Sequence, residues 1–260
     1  MAESFGVVGA IAVECSPLVE DNDWLLRAAA LDPIIVGTIG DLDPASPGFP
    51  RLLERYAANP LFRGIRYGNL WGRNLGAHLS NSEFIGNLKR LAAAGLVLES
   101  ANPNPVLIAD ILKLTDRGPE LRTVIDHLPQ APPPVVPAAR KSYEQDLRSL
   151  SQRNNVFVKG SEVLRQVNGK VPEALDFYKP WLDEIWEIFG ADRMLFGSDW
   201  PNSDHLAPYA ATFDIIWRYM VHKGRPAQEK FFWKNSTKVY RWHKRSAGQP
   251  QMHSAQLSAR

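Results

Sequence analysis

Apolar residues in this chain fall into two alternating patterns. Short apolar-rich runs at 6–15, 34–40, 61–67, 95–100, 121–128, 155–162 and 194–196 predict strands. Between them, 24–31, 49–58, 82–94, 106–114, 142–152, 172–189, 206–222, 227–233 and 235–242 predict helices. In 82–94, Phe84, Leu88 and Leu91 share one helical face, as do Leu182, Ile185, Trp186 and Phe189 in 172–189. Asp21 or Asn22 is placed to cap the first helix, and Asp32-Pro33 ends it. Most of these runs, Met194-Leu-Phe196 among them, hold apolar residues at successive positions, as strands covered on both faces do. Strand and helix in alternation imply a parallel sheet. Six or seven such units favour an α/β fold of the TIM-like (β/α)8 barrel type over an open doubly wound sheet. The latter carries a Gly-rich phosphate turn after its first strand, whereas Gly6-Val-Val-Gly9 stands at the head of this one.

The 260 residues suit one barrel domain, 1–242, followed by a polar stretch, 243–260, without periodicity and expected to be mobile. The Pro-rich 129–137 is a rigid connector, too short to separate domains. A net charge of +2, from 30 basic and 28 acidic residues, makes no case for nucleic acid or an anionic membrane. No apolar run approaches the ~20 residues of a membrane-spanning helix, and acidic Glu3 opens the chain where a signal peptide would be basic. The single cysteine, Cys15, allows no internal disulfide and is expected to be a buried structural thiol. These features predict a cytoplasmic protein acting on a small molecule.

Composition leaves the chemistry open; the strand ends narrow it. Glu14, Arg66, Glu99, His127, Lys159 and Asp199 each stand where an apolar run stops. In a parallel barrel those positions converge on one mouth. Asp199 is placed as the general base that takes a proton from water, with His127 polarising a carbonyl or holding a metal. Arg66 and, on the following loop, Arg73 can hold a carboxylate in a two-pronged fork. Glu99 and Lys159 complete the polar lining, and Trp71 and Trp200 are candidate walls. Each has a plainer reading: Asp199 as a turn cap, His127 as a structural hydrogen-bonding group, Glu99 as partner of Arg66, the tryptophans as core.

The run Arg193-Met-Leu-Phe-Gly-Ser-Asp-Trp-Pro201 resembles the last-strand signature of the amidohydrolase-related family of the metal-dependent hydrolase superfamily, which includes sugar lactonases, pyrone-dicarboxylate hydrolase and some decarboxylases. Asn59-Pro-Leu-Phe-Arg-Gly-Ile-Arg66, Val124-Ile-Asp-His-Leu128 and Asn155-Val-Phe-Val-Lys159 agree in order and spacing. The resemblance implies a distorted barrel with Asp199 as the acid of the last strand, His127 in the active site and Arg66 at a strand end. It implies a lactonase-like hydrolase, with a decarboxylase or a catalytically inactive binding protein as alternatives. The family's first strand carries a His-x-His pair, and none occurs here. The chain therefore reads as starting at the family's second strand, which would leave sheet edges filled by another segment or by a second copy in a homodimer. The cofactor expectation is accordingly either none or a divalent metal such as zinc, with His127 and Asp199 as its ligands; two donors fall short of the usual three.

Overall fold

In the computed structural model, which describes residues 2–252, seven strands form one parallel sheet in chain order. They are β1 (Ala10–Val13), β2 (Ile35–Gly40), β3 (Phe62–Arg66), β4 (Val97–Ser100), β5 (Arg122–Ile125), β6 (Val156–Gly160) and β7 (Met194–Phe196). The helices are α1 (Asp21–Leu31), α2 (Phe49–Ala57), α3 (Leu75–His78), α4 (Ser82–Ala93), α5 (Pro105–Arg117), α6 (Pro137–Ser151), α7 (Leu175–Arg193), α8 (Tyr209–Val221), α9 (Arg225–Glu229) and α10 (Asn235–Tyr240). A π-helical turn, Lys230–Lys234, joins the last two. The sheet curls into a half-barrel, and among the described residues β1 and β7 do not pair.

Strand alternation divides the core in two. Leu98, Ile125, Val156, Val158 and Met194 point outward into the large cluster beneath the helices. Val97, Val124, Phe157 and Leu195, of opposite parity, point into the concave face. That face is completed by Val239, Tyr240 and Trp242, so α10 and the residue pair after it plug the interior. Parity continued past the apolar residues puts Glu99, Asp126 and Lys159 on the concave side too, above this plug.

Three expectations change at the chain's two ends. The first strand shrinks from 6–15 to Ala10–Val13 and is largely half-exposed, because it is a sheet edge. Cys15, just beyond it, is exposed rather than a buried thiol. Residues 243–252 are not a free polar tail. Gln249 is buried, and its amide donates to the Val8 (2.9 Å) and Pro33 (2.7 Å) carbonyls, while Arg245 Nη1 donates to Ala29 and Ile35 carbonyls. The Val8, Pro33 and Ile35 carbonyls lie at the amino ends of β1 and β2 and that of Ala29 in the last turn of α1, places where strand and helix ends leave acceptors free. Residues 253–260 lie outside the described residues. Ahead of β1, Phe5 packs its ring 5.4 Å from Tyr209 and 5.3 Å from Phe213, against the helix that follows β7.

Candidate active site

The carboxyl ends of the strands carry a ring of ionisable groups in two tiers. The lower tier is a closed ionic network. Arg66 Nε lies 2.7 Å from Glu14 Oε1, and Arg66 Nη1 lies 3.7 Å from Asp126 Oδ2. Lys159 Nζ lies 2.8 Å from Glu99 Oε2 and 3.0 Å from Asp126 Oδ1. The hydroxyl of Tyr240, rising from the plug, donates to the other Glu99 oxygen. Glu99 and Asp126 are completely buried. Burial, with Asp126 beside it, raises the Glu99 pKa despite Lys159. Burial opposes the charge on Lys159, but Asp126 and Glu99 outweigh it and the pKa rises. Glu99, expected as a substrate contact, therefore lies fully buried in the floor, held between Lys159 and Tyr240.

The upper tier is looser. His127 and Glu162 stand two residues past β5 and β6, and Asp199 three past β7, and all three have left-handed backbone, with φ of 53°, 49° and 55°. Such conformations cost non-glycine residues of order 1–3 kcal/mol and cluster where structure serves function. His127 Nε2 is 3.7 Å from Asp199 Oδ1, and His127 Nδ1 is 4.0 Å from Glu162 Oε2. His127 Nδ1 also meets Ser161 Oγ at 2.8 Å. Behind Ser161 the chain must be glycine: a Cβ on Gly197 would stand 2.9 Å from Ser161 Cβ. Asn202 Nδ2 donates to Asp199 Oδ2 at 2.9 Å. Burial pushes the His127 pKa down to about 4, with Asp199 opposing, so the imidazole is neutral at physiological pH. Burial, then the neighbouring Asp199 charge, raises Glu162 to about 7.

Of the positions expected from sequence, Arg66 and Lys159 join Glu99 in the floor, and His127 and Asp199 pair above it. Trp71 stands half-exposed with its indole N–H donating to Glu14 Oε2 at 3.3 Å, and Trp200 stays at the rim, also half-exposed. Arg73 is taken: its Nη2 lies 2.5 Å from Asp41 Oδ1. Sequence reading passed over Asp41, Asp126, Ser161, Glu162 and Tyr240 as site residues. For Asp126 a signal existed, its parity with inward-facing Val124.

The profile of the amidohydrolase family matches residues 1–242. The chain belongs to this family. An L-fucono-1,5-lactonase of Burkholderia ambifaria is 27% identical over 259 residues, covering 94% of this chain and 83% of that protein. An amidohydrolase of Burkholderia multivorans, crystallised with zinc, superposes with a TM-score of 0.82 at 19% identity, over 93% of this chain and 86% of that one. A probable 2-pyrone-4,6-dicarboxylic acid hydrolase of Acinetobacter baumannii, with citric acid bound, gives 0.73 at 20% identity, over 92% and 86%. With family and relatives agreeing, the chain is a hydrolase of this superfamily.

The zinc of that neighbour prompts a test of the donor set. Among the described residues no three His, Cys, Asp or Glu side chains converge as a metal site. His127 and Asp199 supply two donors, whereas catalytic zinc takes three protein ligands. Of the other carboxylates at the mouth, Glu14 is engaged by Arg66, Glu99 by Lys159 and Asp126 by both, while Glu162 faces His127 Nδ1 and not the Nε2 beside Asp199. The described residues do not fit a catalytic metal.

Proposed function

We propose that this chain hydrolyses a lactone, with Asp199 as general base and neutral His127 as the group that polarises the carbonyl. The observation that carries this reading is the 3.7 Å between Asp199 Oδ1 and His127 Nε2. That is too long for a direct hydrogen bond, so each group keeps its capacity, Asp199 for a water and His127 for a carbonyl oxygen beside it. With Ser161 Oγ assigned as the donor to Nδ1, the His127 proton is placed on Nε2, the nitrogen that faces Asp199. Water placed beside Asp199 loses a proton to it as the oxygen adds to the lactone carbonyl carbon. The His127 N–H donates to the oxygen on which negative charge builds. The tetrahedral adduct then expels the ring oxygen, which takes a proton back, and a hydroxy acid leaves. The half-exposed Trp71 and Trp200 offer apolar surface to a ring, which suits the sugar-lactone class named for the Burkholderia ambifaria relative.

A panel of sugar and aromatic lactones tests this. Asp199→Asn keeps the shape and removes the base, so turnover of the accepted lactone falls by about 10²–10⁴. Undiminished hydrolysis in that variant would remove Asp199 from the mechanism.

A further inference from the structure

The loop after β3 carries both Trp71 and Arg73, and it is fastened to the body at two points. Trp71 donates to Glu14, at the end of β1, and Arg73 pairs with Asp41, at the end of β2. Between the fastenings, Trp71 and Gly72 are both left-handed, with φ of 59° and 73°. A tryptophan held there needs its surroundings to impose the conformation. Asp41 is itself built in with care. The Asn22 side chain, on α1, accepts from the Asp41 backbone N–H and donates to its carbonyl, each at 2.8 Å. That approach requires Gly40, where a Cβ would stand 2.3 Å from Asn22 Oδ1. A chain of buried contacts thus runs from α1 through Asp41 and Arg73 to the loop.

Arg73 presents no free prong to solvent. Nη2 is on Asp41 and Nη1 is buried without a hydrogen-bond partner, while the guanidinium carbon sits 5.4 Å over the centre of the Tyr67 ring. A substrate carboxylate reaching either terminal nitrogen would have to break the Asp41 pair or enter the protein. Asp41 is 1% exposed, and burial raises its pKa against the pull of Arg73. Removing the cation would leave a buried carboxylate uncompensated. The pair is therefore mutually required, and what it holds in place is the loop.

We infer that Asp41 is a positioning residue: through Arg73 it latches the 68–74 loop so that Trp71 stands at the mouth, and Arg73 is part of this latch and not a grip on a substrate carboxylate. The geometry separates these roles. A grip loses only substrates with a carboxylate; a latch loses all that rest on Trp71.

Amide hydrogen exchange and lactone kinetics on the full chain, for Asp41→Asn, Arg73→Met and the double variant, test the latch. Exchange of peptides covering 68–74 should quicken by about tenfold in either single variant, with no further gain in the double, as coupled neighbours behave. KM should rise by a similar factor for neutral and carboxylated lactones alike, with kcat nearly kept. The kinetic arm rests on the lactonase reading above, whereas the exchange arm stands without it. A wild-type chain that turns over no lactone sinks that reading and leaves the exchange result to decide. Unchanged exchange in Arg73→Met, which removes no part of the Asp41 backbone clamp, overturns the latch. So does a KM rise confined to carboxylated lactones, or additive effects in the double variant.

Discussion

The floor and the rim of the half-barrel mouth are built from the same residue types and arranged by opposite rules. In the floor, Glu14, Arg66, Asp126, Lys159, Glu99 and Tyr240 approach within 2.5–3.7 Å in a connected set. At the rim, His127 stands 3.7 and 4.0 Å from the nearest carboxylates, on backbone that is strained. Charges already satisfied by one another have nothing left for a substrate. Charges held close but short of bonding have capacity for one. Burial acts in both tiers but yields different outcomes: in the floor partners keep Lys159 charged, and at the rim their distance lets His127 go neutral.

Three measurements can break or sharpen this contrast. Lys159→Met removes the cation between two buried carboxylates, and cutting such a pair costs about 3–5 kcal/mol of stability in urea unfolding. If the variant folds with undiminished stability and only turnover suffers, Lys159 belongs to the rim. Gly197→Ala is smaller. The added methyl meets Ser161 at 2.9 Å, so about 1–3 kcal/mol of overpacking is expected, along with a fall in kcat as Ser161 loses its hold on His127. A variant with intact kcat would show that Ser161 does not orient the imidazole. Smallest is Glu162→Gln. Native Glu162 binds its proton up to about pH 7, against 4.5 for the ordinary group. Its contribution to stability is therefore full below pH 4.5 and lost as pH rises toward 7. The stability–pH curve of the wild type should carry that decline and the Gln variant should not. Identical slopes would place Glu162 in water and away from Asp199.

Much of this was legible in the sequence. Apolar-rich runs located all seven strands, since strands covered on both faces hold apolar residues at adjacent positions, and β7 matched at Met194–Phe196. The run at 6–15 overstated β1 because an edge strand and the turn before it can be equally apolar. Strand ends found Arg66, Lys159, His127 and Asp199, but not their tier, which depends on parity and on local turns. Glu162 closed its predicted strand yet was passed over for Lys159; the left-handed turn that aims it at His127 leaves no mark in composition. Asp41 resembled an ordinary loop acid, and only Asn22, 19 residues away and expected as a helix cap, reveals its burial. Tyr240 bonds to Glu99 across 141 residues, beyond any local pattern.

That last contact sets an order of assembly. Chains are made from the amino end, and contacts between distant residues form only when both are present and their loop closes. All seven strands can pair and the helices through α9 can dock before Tyr240 exists to donate to Glu99. Until then the Glu99 carboxylate and the inward faces of Val97, Val124 and Phe157 meet water. The ionic floor thus becomes dry late in synthesis, when the plug seats, and a ribosome-bound chain halted near residue 230 would present its future interior as an open, wet trough.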